Sequence, residues 1–283
     1  MSNKMTIKYG EIQNLALEAT FIRSETNRKE KTIIYIHGGG LVYGNRLDLP
    51  EVYINQLLDA GYDFFTLDYP LAPESKLREI IQSAANGVNW FLEHAIPAFG
   101  IQTNEYILFG RSSGAFLCFL LNKGYLQQRP KAIVSLYGYH SLMNSSFKGP
   151  SQHYLKFPRL ETSALTRLIG DTPLVNGSIE KRYALYVYYR QTGKWVYQLV
   201  NPNESLVNYS LTKDELLTLP PTFLTASTAD QDVPYEITDS LSEIIPDNEL
   251  FTVNGLEHDY DRNTHLPESQ QLYVRMIKWL ETV

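Results

Sequence analysis

A chain of 283 residues can bury a full core as one large α/β domain, and with 43% apolar and 20% charged residues it is neither disordered, collagen-like nor a coiled coil. Twenty-five Lys and Arg against 31 Asp and Glu give a net charge of -6. That offers no basic field to a phosphate backbone, so no nucleic acid partner is expected.

The one cysteine, Cys118, allows no internal disulfide and no Cys-based metal site, which fits a reducing compartment. The opening MSNKMTIKYG lacks the apolar core of a secretory signal. The longest charge-free stretch, 132–147, is 16 residues, interrupted by His140 and Asn144. It falls short of the roughly 20 apolar residues of a spanning helix, so a cytoplasmic protein without stable membrane association is expected.

In chain order, residues 5–23 alternate loosely and read as antiparallel edge strands. TIIYI (32–36) is a β-branched strand; Asp48, Pro50 and Glu51 then read as cap, first-turn proline and capping carboxylate of a helix that Gly61 stops. YDFFTLD (62–68) is the next strand. Leu77, Ile80, Ile81, Ala84, Val88 and Phe91 follow the 3.6-residue period of a helix over about 76–95. EYILFG (105–110) leads to a helix from about 113. AIVSLY (132–137), TFLTAS (222–227) and ELFTV (249–253) are further strands, with helices near 234–245 and from about 268. Near-continuous apolar strands alternating with amphipathic helices imply a parallel sheet covered on both faces.

Residues 1–137 and 222–283 therefore form the core, and 138–221 an insertion, because 84 residues far exceed a parallel crossover. Within it, Tyr183, Tyr186, Tyr188, Tyr189, Trp195 and Tyr197 lie on a stretch that reads as helical from Ile179. Most of these rings are expected to pack the insertion onto the sheet, with one or two left to line a pocket.

Chemistry concentrates at the strand ends. Gly110-Arg111-Ser112-Ser113-Gly114 follows a strand and opens a helix, the context a G-x-S-x-G nucleophile elbow requires, with the Ser113 N–H beside the attacked carbon. His37-Gly38-Gly39-Gly40 follows TIIYI and exposes backbone N–H groups, an oxyanion hole in outline; His37 itself reads as a structural residue of that loop.

Of the six histidines, His258 in NGLEHDY follows the last strand at the elbow's edge of the sheet, with His265 the alternative base. The loop LTASTADQDVP offers Asp230 as orienting acid. Asp232 is the alternative acid, or otherwise a solvated cap for the helix begun by Pro234. Asp259 and Asp261 read as loop-surface charges. Arg111 reads as an ion-pairing or solvated side chain, or as an attractor for an acidic substrate group.

HGGG (37–40) with LVYG (41–44), LDYPLAPE (67–74), GRSSG (110–114), DQDVP (230–234) and GLEHDY (255–260) together resemble the α/β-hydrolases, and within them the carboxylesterases similar to hormone-sensitive lipase. The resemblance implies an α/β-hydrolase fold with a helical lid insertion and Ser112 as nucleophile, His258 as base and Asp230 as acid. It also implies that the N–H groups of Gly39, Gly40 and Ser113 form the oxyanion hole. Pro70 stands where the family's usual DYRLAPE has Arg, Arg111 where the elbow is commonly acidic, and Ala115 where a second glycine is usual. With 36 residues before His37, most of any lid falls to the insertion.

The expected function is that of a serine esterase cleaving small to medium acyl esters through an acyl-enzyme, without metal or organic cofactor. An amidase such as a formamidase, or a small peptidase, would use the same triad. A non-catalytic ligand-binding homologue is the reading from another class. A membrane-associated lipase would need an exposed apolar lid that the polar-interrupted insertion does not supply.

Overall fold

The computed structural model describes residues 3–283. Its sheet has eight strands: β1 (Lys4–Ile12), β2 (Leu15–Ile22), β3 (Thr32–Ile36), β4 (Asp63–Leu67), β5 (Tyr106–Arg111), β6 (Ala132–Leu136), β7 (Thr222–Ser227) and β8 (Asn248–Val253). They lie in the order β1-β2-β4-β3-β5-β6-β7-β8. β1 and β2 are antiparallel and the other six run parallel. Strands β3 to β7 are buried along their whole length, whereas edge strand β1 is largely exposed. The apolar runs and the loose alternation of the sequence correspond to these two environments.

Successive residues of each central strand serve opposite faces. Ile34, Phe65 and Leu108 pack on one side with α2 (Leu77–Phe99), α3 (Ser113–Leu121) and α9 (Tyr235–Ile244). Ile33, Phe64 and Phe109 pack on the other with α1 (Glu51–Asp59) and α10 (Pro267–Leu280). Helix α1 has no side-chain cap, and Asp48, expected there, instead accepts a hydrogen bond from Tyr35 at 2.7 Å. A buried phenol needs a partner more than a helix end that water can reach.

The segment between β6 and β7 carries α4 (Ser145–Lys148), α5 (Thr162–Leu165), α6 (Ile179–Thr192), α7 (Trp195–Leu199) and α8 (Lys213–Leu216). Helix α6 is fastened by polar contacts. Arg182 forks onto Glu74 at 2.8–2.9 Å and reaches the carbonyls of Val42 and Ala72 at 2.7 Å. Gly44 and Gly177 exchange backbone hydrogen bonds at 2.7 and 3.0 Å. Tyr186, Tyr189 and Trp195 are buried and Tyr183 and Tyr188 partly so, whereas Tyr197 is exposed.

Asp261 also departs from expectation, whereas Arg111 takes the ion-pairing role expected of it. Both are fully buried, with the guanidinium 2.8 Å from Asp261 Oδ1 and donating through Nε to Tyr137 at 2.8 Å. Asp261 also accepts from Tyr137 at 2.6 Å and from Tyr273 at 3.0 Å. Asp261 is therefore no surface charge, and Arg111 is neither solvated nor free for a substrate anion. An arginine on a central strand has to bring its counterion inside, and the loop after β8 supplies it. Asp261→Ala, which orphans that cation, is expected to cost about 3–5 kcal/mol in urea denaturation; a loss below about 1 kcal/mol would contradict this account.

Candidate active site

At the carboxyl end of β5 the chain turns sharply into α3. Ser112 occupies the turn with φ 52° and ψ -120°, donates its N–H to the Leu136 carbonyl at 2.8 Å and is nearly buried. A non-glycine residue holds such a conformation only where its surroundings enforce it. Here they press closely, since a Cβ on Gly114 would sit 2.1 Å from the Ile36 carbonyl oxygen. Leu41, Tyr137 and Asp259, on the loops after β3, β6 and β8, also have positive φ, so strained backbone gathers where these loops converge.

His258, on the loop after β8, points Nε2 at Ser112 Oγ, 3.0 Å away. Its Nδ1–H donates to Asp230 Oδ2 at 2.6 Å, which fixes the tautomer with Nε2 as acceptor. The other oxygen of Asp230 accepts the N–H groups of Asp232 and Val233, both at 2.9 Å. The structure thus joins Ser112, His258 and Asp230 in one chain of hydrogen bonds. His265 is exposed and donates its N–H to Asn263.

His37 is buried, stacks on Tyr69 and donates through Nδ1 to the Gly38 carbonyl at 2.8 Å. Burial depresses its basicity, as suits a loop-holding residue. The HGGG loop packs against the serine turn, with Leu41 N–H donating to Ser113 Oγ at 3.2 Å. Gly40, at φ +60°, could carry no side chain, because its Cβ would meet the Tyr186 ring at 2.3 Å. Its carbonyl accepts the Trp195 indole N–H at 2.9 Å, tying the loop to the insertion.

Two further carboxylates flank the imidazole. Asp232 Oδ2 and Asp259 Oδ1 lie 3.9 and 4.0 Å from Nε2. Asp232 is buried and bonded to Arg190 and Tyr186 of α6, so it is not the solvated cap expected before α9. Asp259 is mostly buried and paired with Arg262 at 2.9 Å, not a free surface charge. Burial alone would lower the basicity of His258. The anions Asp230, Asp259 and Asp232 together outweigh it and push the imidazole up. Burial likewise opposes the charge on Asp259, but His258, Arg111 and Arg262 hold its carboxyl well below the usual range.

The spacing of Arg182, Tyr186 and Arg190 at i, i+4 and i+8 was the available signal for the contacts Asp232 makes, since it sets all three on one face of α6. A cavity of about 210 Å³ opens beside His258, lined among others by Tyr43, Tyr154, Tyr183, Asp232, Asp259 and Arg262.

A mostly parallel sheet with a strained serine turn after β5, and a histidine and an acid on the loops after β8 and β7, is the architecture of the α/β-hydrolases. The chain belongs to the BD-FAE family, whose model matches residues 20–245. The solved structure of an α/β-hydrolase superfamily protein from Enterococcus faecalis is 26% identical and superposes with a TM-score of 0.86, covering all of both chains. Hormone-sensitive lipase of Mus musculus is 26% identical over 147 residues, 50% of this chain and 19% of that protein. Ethyl acetate hydrolase of Pseudomonas putida is 29% identical over 138 residues, 47% of this chain and 42% of that protein. The chain therefore spans less than half the length of these curated relatives.

If Asp259 helps to hold the imidazolium, Asp259→Asn should lower the titration midpoint of His258, observed through its ring nitrogens by NMR. Removing a nearby anion disfavours the protonated form. A midpoint that stays put or rises would contradict the assignment.

Proposed function

We propose that the protein is a serine carboxylesterase acting on esters of short to medium acyl chains, with Ser112 as nucleophile, His258 as general base and then acid, and Asp230 as the orienting carboxylate. The observation that carries this reading is the continuous hydrogen-bond chain from Ser112 Oγ through His258 to Asp230, set on a strained turn at a helix N-terminus. Ser112 attacks the ester carbonyl while Nε2 takes its proton; the imidazolium returns that proton to the leaving alcohol, and a water activated by His258 releases the acid. The N–H groups of Gly39, Gly40 and Ser113 receive the developing oxyanion in this reading, each worth about 3–4 kcal/mol of transition-state stabilisation. No metal or organic cofactor enters the sequence of steps.

The insertion 138–221 serves as the lid in this account, since Tyr183 and Tyr154 wall the cavity beside His258. At about 210 Å³ that space is smaller than the roughly 300–1,000 Å³ of pockets that take drug-sized ligands, which favours compact substrates. The ester preference draws on the resemblance to ethyl acetate hydrolase and hormone-sensitive lipase. A cytoplasmic location is proposed from the single, buried, free Cys118. Among the described residues no helix is long and apolar enough to cross a membrane.

On nitrophenyl esters from acetyl to decanoyl, kcat/KM is expected to peak at the short chains and decline beyond. Ser112→Ala and Asp230→Asn should each lower kcat about 10⁴-fold or more. Undiminished turnover by folded Ser112→Ala would refute the mechanism, and activity confined to amides would move the substrate class.

A further inference from the structure

Arg190 is an arginine buried in the insertion, 2% exposed, with its guanidinium carbon 5.1–5.8 Å from the rings of Trp195, Phe147, Tyr154 and Tyr186. An aromatic cage can hold a cation but cannot neutralise it. The neutralising group is Asp232, whose Oδ1 lies 2.9 Å from Arg190 Nη1 and whose carbonyl accepts from Nη2 at 3.2 Å. Tyr186 completes the unit, donating to both Asp232 oxygens at 3.0 Å. Asp232 in turn touches the core of the site twice. Its N–H donates to Asp230, and its Oδ2 lies on the Ser112 side of the imidazole, 3.9 Å from Nε2.

A bare carboxylate at that distance from an imidazole only 14% exposed would hold a proton on His258 and withhold it as a base. The rest of the surroundings do not relieve this. Asp230 sits on Nδ1, Asp259 lies 4.0 Å from Nε2 with Arg262 and, at 3.9 Å, Arg111 as its cations, and the edge of Tyr137 packs on the ring. Beyond the ring, Tyr43, Tyr183, Glu257 and His153 line the cavity. Arg190 is the cation paired with Asp232.

We propose that Arg190 is a positioning residue: by pairing with Asp232 it offsets part of that anion's field at His258 Nε2 and holds the loop carrying Asp230 against the insertion. The insertion is then part of the proton-transfer apparatus, acting through Asp232 without touching the reacting atoms. This rests on the assignment of Ser112 and His258 above.

The test measures the pH dependence of kcat/KM for nitrophenyl acetate and of the rate of fluorophosphonate labelling in wild type, Arg190→Met, Arg190→Lys, Asp232→Asn and the double variant Arg190→Met/Asp232→Asn. Arg190→Met should move the acid limb of both profiles up by about one pH unit. Arg190→Lys, which keeps the charge, should leave the limb near wild type even if kcat falls, whereas Asp232→Asn should move it down. The double variant, which removes both charges, should fall between the two single variants. A limb unmoved in folded Arg190→Met, or a double variant that follows Arg190→Met, overturns the proposal. If Arg190→Met does not fold, an unmoved limb in Asp232→Asn overturns it. A wild type that takes no label at any pH refutes instead the serine hydrolase reading, and with it this inference.

Discussion

The turn at Ser112 is the constraint on which the rest of the site depends. A serine at φ 52° between β5 and α3 is unfavourable in isolation. It is held there because neighbouring positions lack side chains: Gly110 and Gly114 leave no room for a Cβ against the backbone, and Gly38 lies against the Arg111 carbonyl. The parallel sheet brings the HGGG loop and the loops after β6, β7 and β8 to the same edge, and each contributes a residue that faces the serine or the histidine. The hydroxyl therefore reaches His258 without any segment having to move.

Electrostatics form the second layer. Arg111, Arg182 and Arg190 are all buried, and each has its own carboxylate: Asp261, Glu74 and Asp232. Unpaired, any one of them would be costly; paired, they fix where their loops lie. Arg111 fastens the loop that carries His258, Arg182 fastens α6 to the segment after β4, and Arg190 fastens α6 to the loop that carries Asp230. The histidine thus works in a field set by several anions and by the cations that offset them.

Much of this was legible in the sequence because it follows from short-range rules. Strands β3 and β7 fall on the residues where β-branched apolar runs place them, and the ends of the other parallel strands lie within about a residue of expectation. The serine turn and the glycine loop announce themselves by pattern and by position after a strand. The buried charge pairs were not legible. Asp259 and Asp261 look like loop-surface residues until it is known that Arg111 has no access to water, and that depends on a partner 150 residues away. Helix α6 hid its function for a related reason. Its inward face mixes Arg182, Tyr186 and Arg190 with Leu185 and Tyr189, so apolar periodicity marks the side that packs only faintly. Asp48, and Asp232 where it is not the acid, sit where local rules expect a cap, whereas distant side chains claim them.

The central claim is that Ser112 is a nucleophile activated by His258, and intact-protein mass spectrometry after exposure to a fluorophosphonate tests it directly. The account predicts one adduct per chain, mapped to the peptide holding Ser112, absent from Ser112→Ala and formed far more slowly in His258→Ala. An unmodified wild type, or an adduct that persists in folded Ser112→Ala, would contradict it.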